Sequence, residues 1–377
     1  MTAEKIKVLH IISNSYLGGA QSQVRDLCQN LDNHFVYVFK KTQVNIFNNI
    51  NDKVFYFNSF KPYKFSFSIL LELKNIIKKN NFEILHLHLA KPLLYAFFLK
   101  IFFIHRINII YHEHGFLIST HNKGFKYLWY IFYLNFFGLV VDKFIAVSNY
   151  VRNAFIDKAK ISKNRIILLS NFVNQNKYSK ENITWDIKNE RTNLGIQSNQ
   201  FVIGFSGRID PEKGWERMIN SVLELLNDND KIKLLIAGDG PERDKMLRLI
   251  SSSGHSNNIN YLGFVNNMAW FYSLLDCLVV PSSSESMGLV AVEAQSMGIP
   301  VIAANIPALK EIITDNVNGI FFNIDNSGDL KNKINFLNRN DKLRNNLSKN
   351  GLTNAQQFYL TKYTKRLNQY YYDLRNK

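Results

Sequence analysis

The chain has 377 residues, of which 46% are hydrophobic and 20% are charged, and its formal net charge is +16 at pH 7. This length exceeds what one hydrophobic core usually supports, so two domains are expected. Two cysteines argue against a disulfide framework, and no C-x-x-C motif or clustered His/Cys pattern indicates a structural zinc site.

The positive charge is concentrated in the first half of the chain. Residues 1–190 contain 25 Lys/Arg against 12 Asp/Glu, a surplus of 13, whereas residues 191–377 contain 21 against 18, a surplus of 3. A basic half chain predicts an anionic partner such as a lipid surface or a phosphorylated substrate. No recognised RNA- or DNA-binding module is present, which argues against nucleic acid as that partner. The N-terminal residues lack the features of a secretion signal, so we expect a cytoplasmic protein.

Strand and helix patterns alternate along both halves, as is typical of parallel α/β sheets. Strands are predicted in the first half at 8–13, 35–39, 54–57, 84–88, 109–112, 143–147 and 166–170. Strands are predicted in the second half at 201–206, 233–237, 260–262, 277–280, 301–304 and 319–322. Helices are expected at 20–31 and 359–374. The predicted domains are 1–173 and 201–353, joined by a polar linker at 174–200 and followed by a C-terminal helix region at 354–377.

Two segments of the first half are unusually apolar and aromatic, residues 93–104 and 127–141. Neither contains eighteen uninterrupted apolar residues, so a membrane-spanning helix is not expected. The first segment is compatible with a buried core helix. The second contains Trp129 and follows Lys123 and Lys126, a combination that favours a helix lying among lipid headgroups.

The segment F-V-I-G-F-S-G-R-I-D-P-E-K-G-W at 201–215 predicts an anion-binding loop after a strand. Gly207 permits a tight turn, and Arg208 and Lys213 lie five positions apart in the loop that follows. Two cations with nearby glycines can clamp a diphosphate. The alternative is a solvated turn with an Asp210–Lys213 pair.

The segment P-S-S-S-E-S-M-G-L-V-A-V-E-A-Q-S-M-G-I-P at 281–300 places two acids eight positions apart. Glu285 lies in a loop after a predicted strand, and Glu293 lies in the helix that follows. Open α/β sheets bind ligands at such positions, where backbone N–H groups attract phosphate or sugar oxygens. Glu285 can accept hydrogen bonds from sugar hydroxyls and Glu293 can hold a ribose diol. The alternative is an acidic loop next to a helix capped by chance.

These two segments closely resemble the E-x7-E signature and the G-R-x-x-x-x-K-G element of retaining glycosyltransferases of family 4, which have the GT-B fold. The resemblance implies an α/β protein with two facing Rossmann-like domains and an interdomain cleft. It also implies that Glu285 contacts the donor sugar, that Glu293 contacts the nucleotide ribose, and that Arg208 and Lys213 neutralise the departing nucleoside diphosphate. The family usually has Gly-Phe-Gly after the first acid, where this chain has Ser286-Met287-Gly288, so the identity of the sugar is not predicted.

Other short motifs follow in the family order and complete the predicted donor-binding set. They are Gly18 and Gly19 before the first helix, Gly238 and Gly240 in I-A-G-D-G-P-E, Gly263 and Phe264, and the backbone of Ser286, Met287, Gly288 and Leu289. By resemblance, the first pair contacts the donor phosphate or the acceptor, and the others shape the nucleotide pocket. The first pair lacks the third glycine of a dinucleotide-binding fingerprint, which argues against an NAD enzyme.

The segment I-I-Y-H-E-H-G-F at 109–116 contains the fourth predicted catalytic residue, His114. By resemblance, His114 matches a family His-Gly near the reacting sugar carbon, where it can hydrogen-bond a sugar hydroxyl or the acceptor. The alternative is a structural histidine. His112 is expected to point to the opposite side of the strand, and Glu113 is a candidate acceptor-side base. Ser148 is expected to be a helix cap first, with acceptor contact as the alternative.

No metal or other cofactor is expected. The segment 228–230, Asp-Asn-Asp, imitates the D-x-D metal motif of another glycosyltransferase fold, but it lies where Asp and Asn are ordinary turn residues. Arg208 and Lys213 could replace a divalent cation beside the diphosphate.

The predicted function is transfer of a hexose-type sugar, with retained anomeric configuration, from a nucleoside-diphosphate donor, expected to be a UDP-sugar. The basic and aromatic first domain favours a lipid-linked saccharide acceptor in surface-polysaccharide or lipopolysaccharide biosynthesis, with the enzyme bound to the inner face of the cell membrane. Two alternatives stay open at this point. One is a sugar-nucleotide epimerase of the same fold, and the other is a catalytically silent partner subunit.

Overall fold

The computed structural model describes residues 6–16, 18–43, 45–57, 65–103, 106–114, 124–228 and 231–376, with only the backbone at Lys126. The chain divides into two compact units. The first unit comprises Met1–Asn171 and Thr361–Lys377, and the second comprises Phe172–Leu360.

The first unit is built on a parallel sheet that has seven strands in the described part of the chain. The strands are β1 (Val8–Ile12), β2 (His34–Val38), β3 (Val54–Tyr56), β4 (Ile84–His88), β5 (Asn108–Glu113), β6 (Lys143–Ala146) and β7 (Ile166–Leu168). Their order is β3-β2-β1-β4-β5-β6-β7. Every residue of β1 and β4 is buried, as expected for central parallel strands covered on both faces.

The second unit is built on a parallel sheet with six strands among the described residues. The strands are β8 (Phe201–Ser206), β9 (Ile232–Ala237), β10 (Ile259–Gly263), β11 (Cys277–Val280), β12 (Val301–Ala304) and β13 (Ile320–Phe322). Their order is β10-β9-β8-β11-β12-β13, so the direction of winding reverses between β8 and β11. Loops that leave the carboxyl ends of strands at such a switch point form ligand sites in open α/β sheets.

α-Helices connect consecutive strands in both units, except between β2 and β3, where the connection contains a 3-10 helix, Asn48–Lys53. In chain order they are α1 (Gly19–Asn30), α2 (Phe67–Asn80), α3 (Ala90–Phe102), α4 (Phe125–Phe137), α5 (Asn149–Asp157), α6 (Ile187–Asn193), α7 (Trp215–Asp228), α8 (Arg243–Ser252), α9 (Met268–Ser273), α10 (Leu289–Ser296), α11 (Pro307–Lys310), α12 (Asp329–Asn338), α13 (Asp341–Ala355) and α14 (Leu360–Arg375).

The predicted strands are all present, with boundaries within two residues of the structure. Short apolar runs between polar turns are sufficient to locate strands that are buried on both faces. The helices predicted at 20–31 and 359–374 are α1 and α14, each displaced by one residue.

The segment 174–200, expected to be a linker, belongs to the second unit and contains α6. Although the segment is mostly polar, two of its side chains attach it to the second unit. The Trp185 indole donates to Ser273 Oγ at 2.9 Å, and Arg191 forms an ion pair with Asp276 at 3.1 Å. The C-terminal region also divides differently from the predicted boundary at 354, because only Thr361–Lys377 join the first unit.

Helix α4 leaves much of its apolar surface uncovered. Its exposed apolar side chains are Phe125, Leu128, Trp129, Phe132 and Phe136, and Leu139, two residues after its end, is exposed as well. In contrast, α3 buries Leu93, Tyr95, Ala96 and Leu99, although Phe102 at its end is exposed. Within the residues that the structure describes, no helix combines the length and the apolar character needed to cross a bilayer.

Candidate functional site

The predicted donor-binding residues of the second unit lie on loops at the carboxyl edge of its sheet. Two of these loops, 207–214 after β8 and 281–288 after β11, leave adjacent strands at the switch point. They are joined by hydrogen bonds, since Ser283 N donates to Glu212 O at 2.8 Å and Arg217 Nη1 donates to Pro281 O at 2.7 Å. Gly214, at φ +70°, is required here because a Cβ atom would lie 2.1 Å from Pro281 O. The local backbone therefore holds the two loops in contact.

The structure brings Lys213 and Glu285 into direct contact. Lys213 Nζ donates to Glu285 Oε1 at 2.7 Å, and Ser282 Oγ donates to the same oxygen at 2.8 Å. The Glu285 side chain is 10% exposed and that of Lys213 is 30% exposed. Such a partly buried charge pair is oriented by its neighbours but still accessible to a ligand.

Arg208 lies on the same loop as Lys213 and is the more exposed cation. Its Nε donates to Asp210, while the guanidinium side chain is 68% exposed. Asp210 is buried and also accepts from Lys213 N at 3.1 Å, so one carboxylate orients both basic residues. The alternative Asp210–Lys213 side-chain pair is not formed, because the Lys213 ammonium turns to Glu285 instead.

Glu293 lies on α10, two turns after Glu285. Its Oε2 accepts from the Tyr272 hydroxyl at 2.7 Å. Burial, together with the nearby Glu293 charge, raises the pKa of Tyr272 well above its usual value, so this tyrosine stays a neutral donor. Gly288 caps the start of α10 at φ +86°, and a Cβ atom there would lie 2.3 Å from a Leu309 methyl group.

The remaining residues of this loop divide between core and surface. The Met287 side chain is buried, Ser286 is partly buried, and Leu289 begins α10. Backbone N–H groups in the first turn of α10 have no intrahelical acceptor, which suits an anionic or hydroxylated ligand.

Gly238 and Gly240 allow the loop after β9 to approach the loop after β8. A Cβ atom on Gly238 would lie 1.8 Å from Gly207 O, and one on Gly240 would lie 2.4 Å from Ile209 O. Gly238 N also donates to Gly263 O at 2.7 Å, which links the end of β10 to this arrangement. Phe264, next along the chain, is 44% exposed and offers an apolar surface. These predicted residues therefore lie on neighbouring loops.

In the first unit, Gly18 and Gly19 lie at the start of α1. Gly18 has an extended backbone, and a Cβ atom on Gly19 would meet no atom of the described residues within 4 Å. Packing against the described part of the chain therefore does not explain a glycine at position 19. Leu17 in the same motif lies outside the described residues.

His114 follows β5 and belongs to a cluster of six histidines on one face of the first sheet. The cluster consists of His10, His34, His86, His88, His112 and His114. Strand register places His10 beside His86 and His88 beside His112. All except His114 are buried. Gly115, the other half of the predicted His-Gly motif, lies outside the described residues.

Two interpretations from the sequence are wrong here. His112 does not point away from His114, because residues two apart on a strand share a face, and their rings stack at 4.2 Å. A histidine cluster is present, although the sequence seemed to lack one, because strands far apart in the chain assemble it. The signal that could have found it is the alternation L-H-L-H at 85–88 and H-E-H at 112–114.

Within the described residues, the ring nitrogens of this cluster are close enough together to hold a metal ion. Two groups of three histidines each have ring nitrogens within 4.8 Å of one another. One group is His10, His86 and His88, and the other is His88, His112 and His114. Burial lowers the pKa of His10 to about 3 and that of His114 to about 4. The histidines are therefore neutral at pH 7.

Glu113 and Ser148 make structural contacts. Glu113 is buried on the opposite face and accepts from the hydroxyl groups of Tyr130 at 2.7 Å and Tyr111 at 3.3 Å. Ser148 caps α5, as expected, by accepting from Val151 N at 3.2 Å. Asp228 forms an ion pair with Lys331 at 3.1 Å, while residues 229 and 230 of the D-x-D imitation lie outside the described residues.

Comparisons with known proteins agree with this architecture. The family model "Glycosyltransferase Family 4" matches residues 17–177, and "Glycosyl transferases group 1" matches residues 186–353. An uncharacterized 41.2 kDa protein in the cps region of Klebsiella pneumoniae is 31% identical over 268 residues, covering 69% of this chain and 70% of that protein. The alpha-monoglucosyldiacylglycerol synthase of Acholeplasma laidlawii is 30% identical over 186 residues, 49% of this chain and 46% of that one.

Among solved structures, Anabaena HepE in complex with UDP-glucose is similar over the whole fold. Its TM-score is 0.83 at 22% identity, with 98% of this chain and 100% of that chain covered. At this identity the similarity shows the fold, which is that of GT-B glycosyltransferases. With a family model matching each half and a cps-region relative above 30% identity, the chain belongs to the group 1 glycosyl transferases of family 4.

Proposed function

We propose that this chain transfers a hexose-type sugar from a UDP-sugar to a lipid-linked saccharide, with retention of anomeric configuration. The observation that carries the proposal is the Lys213–Glu285 contact at the switch point, with Arg208 on the same loop. Cations beside a carboxylate suit a ligand that combines a diphosphate with a hydroxyl-rich sugar.

In this proposal, Arg208 and Lys213 stabilise the charge that develops on the diphosphate as it leaves. Oriented charged donors stabilise a transition state strongly because they need no reorganisation during the reaction. Glu285 accepts hydrogen bonds from sugar hydroxyls, and Glu293 accepts from the ribose. Because Lys213 and Ser282 already engage Glu285, we propose front-face attack by the acceptor rather than a covalent intermediate on this carboxylate.

The proposal includes a uridine nucleotide as the donor and sugar transfer that does not require a metal ion. A fold neighbour holds UDP-glucose, which supports a uridine nucleotide. The two basic side chains of the loop after β8 supply positive charge that other glycosyltransferase folds obtain from a divalent cation. Transfer is therefore expected to persist in EDTA.

The proposed acceptor and membrane contact rest on the first unit and on the relatives. Residues 1–190 carry a surplus of 13 positive charges, and α4 exposes a row of aromatic side chains. Aromatic and basic groups together favour the headgroup region of an anionic bilayer. A relative named for a glucosyldiacylglycerol product and another from a cps region support a lipid-linked acceptor in surface-polysaccharide or lipopolysaccharide synthesis.

The first experiment is a thermal-shift screen of the full chain with UDP-, GDP- and ADP-sugars, since a ligand that prefers the folded state raises its stability. The sugar nucleotide that raises Tm is then incubated with lipid-linked saccharides, with and without EDTA. NMR of the product assigns the anomeric configuration. An inverted product would overturn retention, and loss of transfer in EDTA would overturn metal independence.

The same incubation separates the two alternatives. An epimer formed without acceptor would indicate a sugar-nucleotide epimerase. Absence of any Tm change with all three nucleotide classes would indicate a catalytically silent protein of this fold.

A further inference from the structure

Four histidines of the cluster form a continuous hydrogen-bonded chain. His34 Nδ1 and His10 Nε2 are 2.8 Å apart, His10 Nδ1 and His88 Nε2 are 2.9 Å apart, and His88 Nδ1 and His114 Nε2 are 3.0 Å apart. Each link joins Nδ1 of one ring to Nε2 of the next. We call these four residues the histidine chain.

The hydrogen bonds of the histidine chain make the tautomer of each ring depend on that of its neighbour. Burial lowers the pKa of His34 and His88 well below the usual value, and the same cause lowers the pKa of His10 and His114. Each neutral imidazole has one N–H donor and one lone pair. A link needs one donor and one acceptor, so the tautomer of one ring dictates that of the next. The four rings must all carry Nδ1–H or all carry Nε2–H.

The buried end of the chain distinguishes these two states. His34 Nε2 is buried and has no hydrogen-bond partner among the described residues. In the Nε2–H state this atom would be an unpaired buried N–H, whereas in the Nδ1–H state it would be an unpaired lone pair. Among backbone groups, an orphaned buried N–H donor is rarer than an under-satisfied acceptor, and we apply the same preference to the imidazole nitrogens. The geometry therefore favours Nδ1–H on all four rings.

We propose that His10, His34 and His88 are positioning residues that hold His114 as a neutral Nδ1–H donor. This extends the proposed function, because a donor at this nitrogen binds a lone pair on a hydroxyl or phosphate oxygen of the sugar substrates. His114 then orients and polarises an oxygen and does not act as the base that deprotonates the acceptor.

Metal binding by the same histidines is the competing explanation, and ring orientation opposes it. A metal ion lies in the plane of each imidazole that coordinates it. The His86 and His88 rings are stacked at 4.5 Å and 14°, and the His112 and His114 rings at 4.2 Å and 20°. Stacked rings cannot direct their lone pairs at one ion, and both nitrogens of His10 and His88 already serve the chain.

The test is ¹⁵N NMR of histidine side chains in the full chain at pH 7.5, without substrates and without added metal. Single His→Phe variants assign the rings. The expected result is pyrrole-type Nδ1 and pyridine-type Nε2 on all four rings, with N–N couplings across the three links. The N–N couplings also identify the linked rings in the wild-type protein, so a variant that fails to fold does not prevent the test. Mixed tautomers, or Nε2–H on all four rings, would overturn the proposal.

Two variants with the same change of side chain test the role of the chain. His88→Phe removes the donor to His114 and is expected to populate the Nε2–H tautomer of His114. It is also expected to lower kcat/KM about tenfold, the effect of one hydrogen bond. His86→Phe changes a buried neighbour outside the chain and should leave the His114 tautomer unchanged. An unchanged His114 tautomer in His88→Phe would contradict the proposal.

Two further results keep this proposal separate from the proposed function. Stoichiometric zinc retained by the purified protein and lost in His88→Phe would overturn it in favour of metal binding. Because the tautomers are measured without substrate, a protein with the expected tautomers but no sugar transfer would contradict only the proposed function.

Discussion

At the scale of single residues, Lys213 and Glu285 are the side chains whose contact the sequence did not specify. Both residues were predicted, on loops 72 positions apart in the chain, but their pairing at 2.7 Å depends on the neighbouring positions of β8 and β11. Residue types and local spacing could suggest the chemistry of each loop. Only the strand order shows that the Lys213 ammonium and the Glu285 carboxylate lie next to each other.

Replacing Lys213 with Ala is expected to lower kcat for sugar transfer by about 10²–10³, because the variant lacks the cation that we propose to lie beside the leaving diphosphate. Lys213→Arg should recover part of the loss. The control is Lys245→Ala, which removes an exposed lysine paired with Glu216 on the surface. Steady-state kinetics measure all three variants. A Lys213→Ala enzyme as active as Lys245→Ala would exclude this role.

Gly238 supplies the second prediction at this scale. Gly238→Ala places a Cβ atom 1.8 Å from Gly207 O, at φ +140°, so we expect a loss of about 2–4 kcal/mol in unfolding free energy. Gly254→Ala is the matched control, since Gly254 is at φ +74° and none of the described residues has an atom within 4 Å of its Cβ position. Urea denaturation compares the two. Equal losses of unfolding free energy in the two variants would mean that backbone strain, rather than the close approach of the loops, causes the destabilisation.

At the scale of elements, α4 shows how far an apolar and aromatic segment can be interpreted from the sequence. The aromatic segment was predicted to be an interfacial helix, and the structure confirms a helix with exposed Trp129 and Phe132. Its contact with a membrane stays a proposal. Trp129 and the preceding lysines distinguished this helix from α3 in the sequence, but the exposure of each helix depends on which neighbouring elements cover its apolar face.

A double variant, Trp129→Ser and Phe132→Ser, is expected to weaken binding to anionic vesicles by about tenfold or more, because two aromatic anchors are lost. The matched control is Phe336→Ser on α12, where the side chain is 51% exposed, against 56% and 54% for the pair. Vesicle sedimentation at low and high salt measures binding. Screening should weaken wild-type binding. Equal weakening by the control would argue against a role for α4.

At the scale of the whole molecule, the buried histidines link stability to pH. Their folded pKa values lie below the unfolded value of about 6.5, with His10 at about 3 and His114 at about 4. Protonation therefore favours the unfolded chain. The stability that the histidines contribute is complete above pH 6.5 and is lost as pH falls. Each one removes up to about 1.4 kcal/mol per pH unit in this range.

Urea midpoints at pH 7.5, 6.5 and 5.5 test this linkage. The wild-type midpoint should fall steeply below pH 6.5, and His86→Phe, which removes one buried histidine, should show a shallower fall. His255→Phe is the control, because His255 lies outside the cluster and bonds Asn227 at the surface. A slope in His86→Phe as steep as in His255→Phe would contradict the prediction.

The sequence by itself determined the class of the fold and the composition of the loops that are predicted to bind the donor. Apolar runs such as 201–206 and 277–280 specify buried parallel strands wherever they lie, and glycines such as Gly238 mark close backbone approaches. These are local properties. They depend on residues near one another in the chain, so periodicity and turn chemistry reveal them.

Only the tertiary structure decided which distant residues meet. His10, His34, His88 and His114 come from positions spread over more than one hundred residues, and strand order together with side-chain alternation assembles them into one chain. The inclusion of 174–200 in the second unit depends likewise on Trp185 and Arg191 reaching α9 and Asp276. Pairings of this kind arise from packing between elements. A local alternation shows only which residues share a face of one strand, not which strands become neighbours.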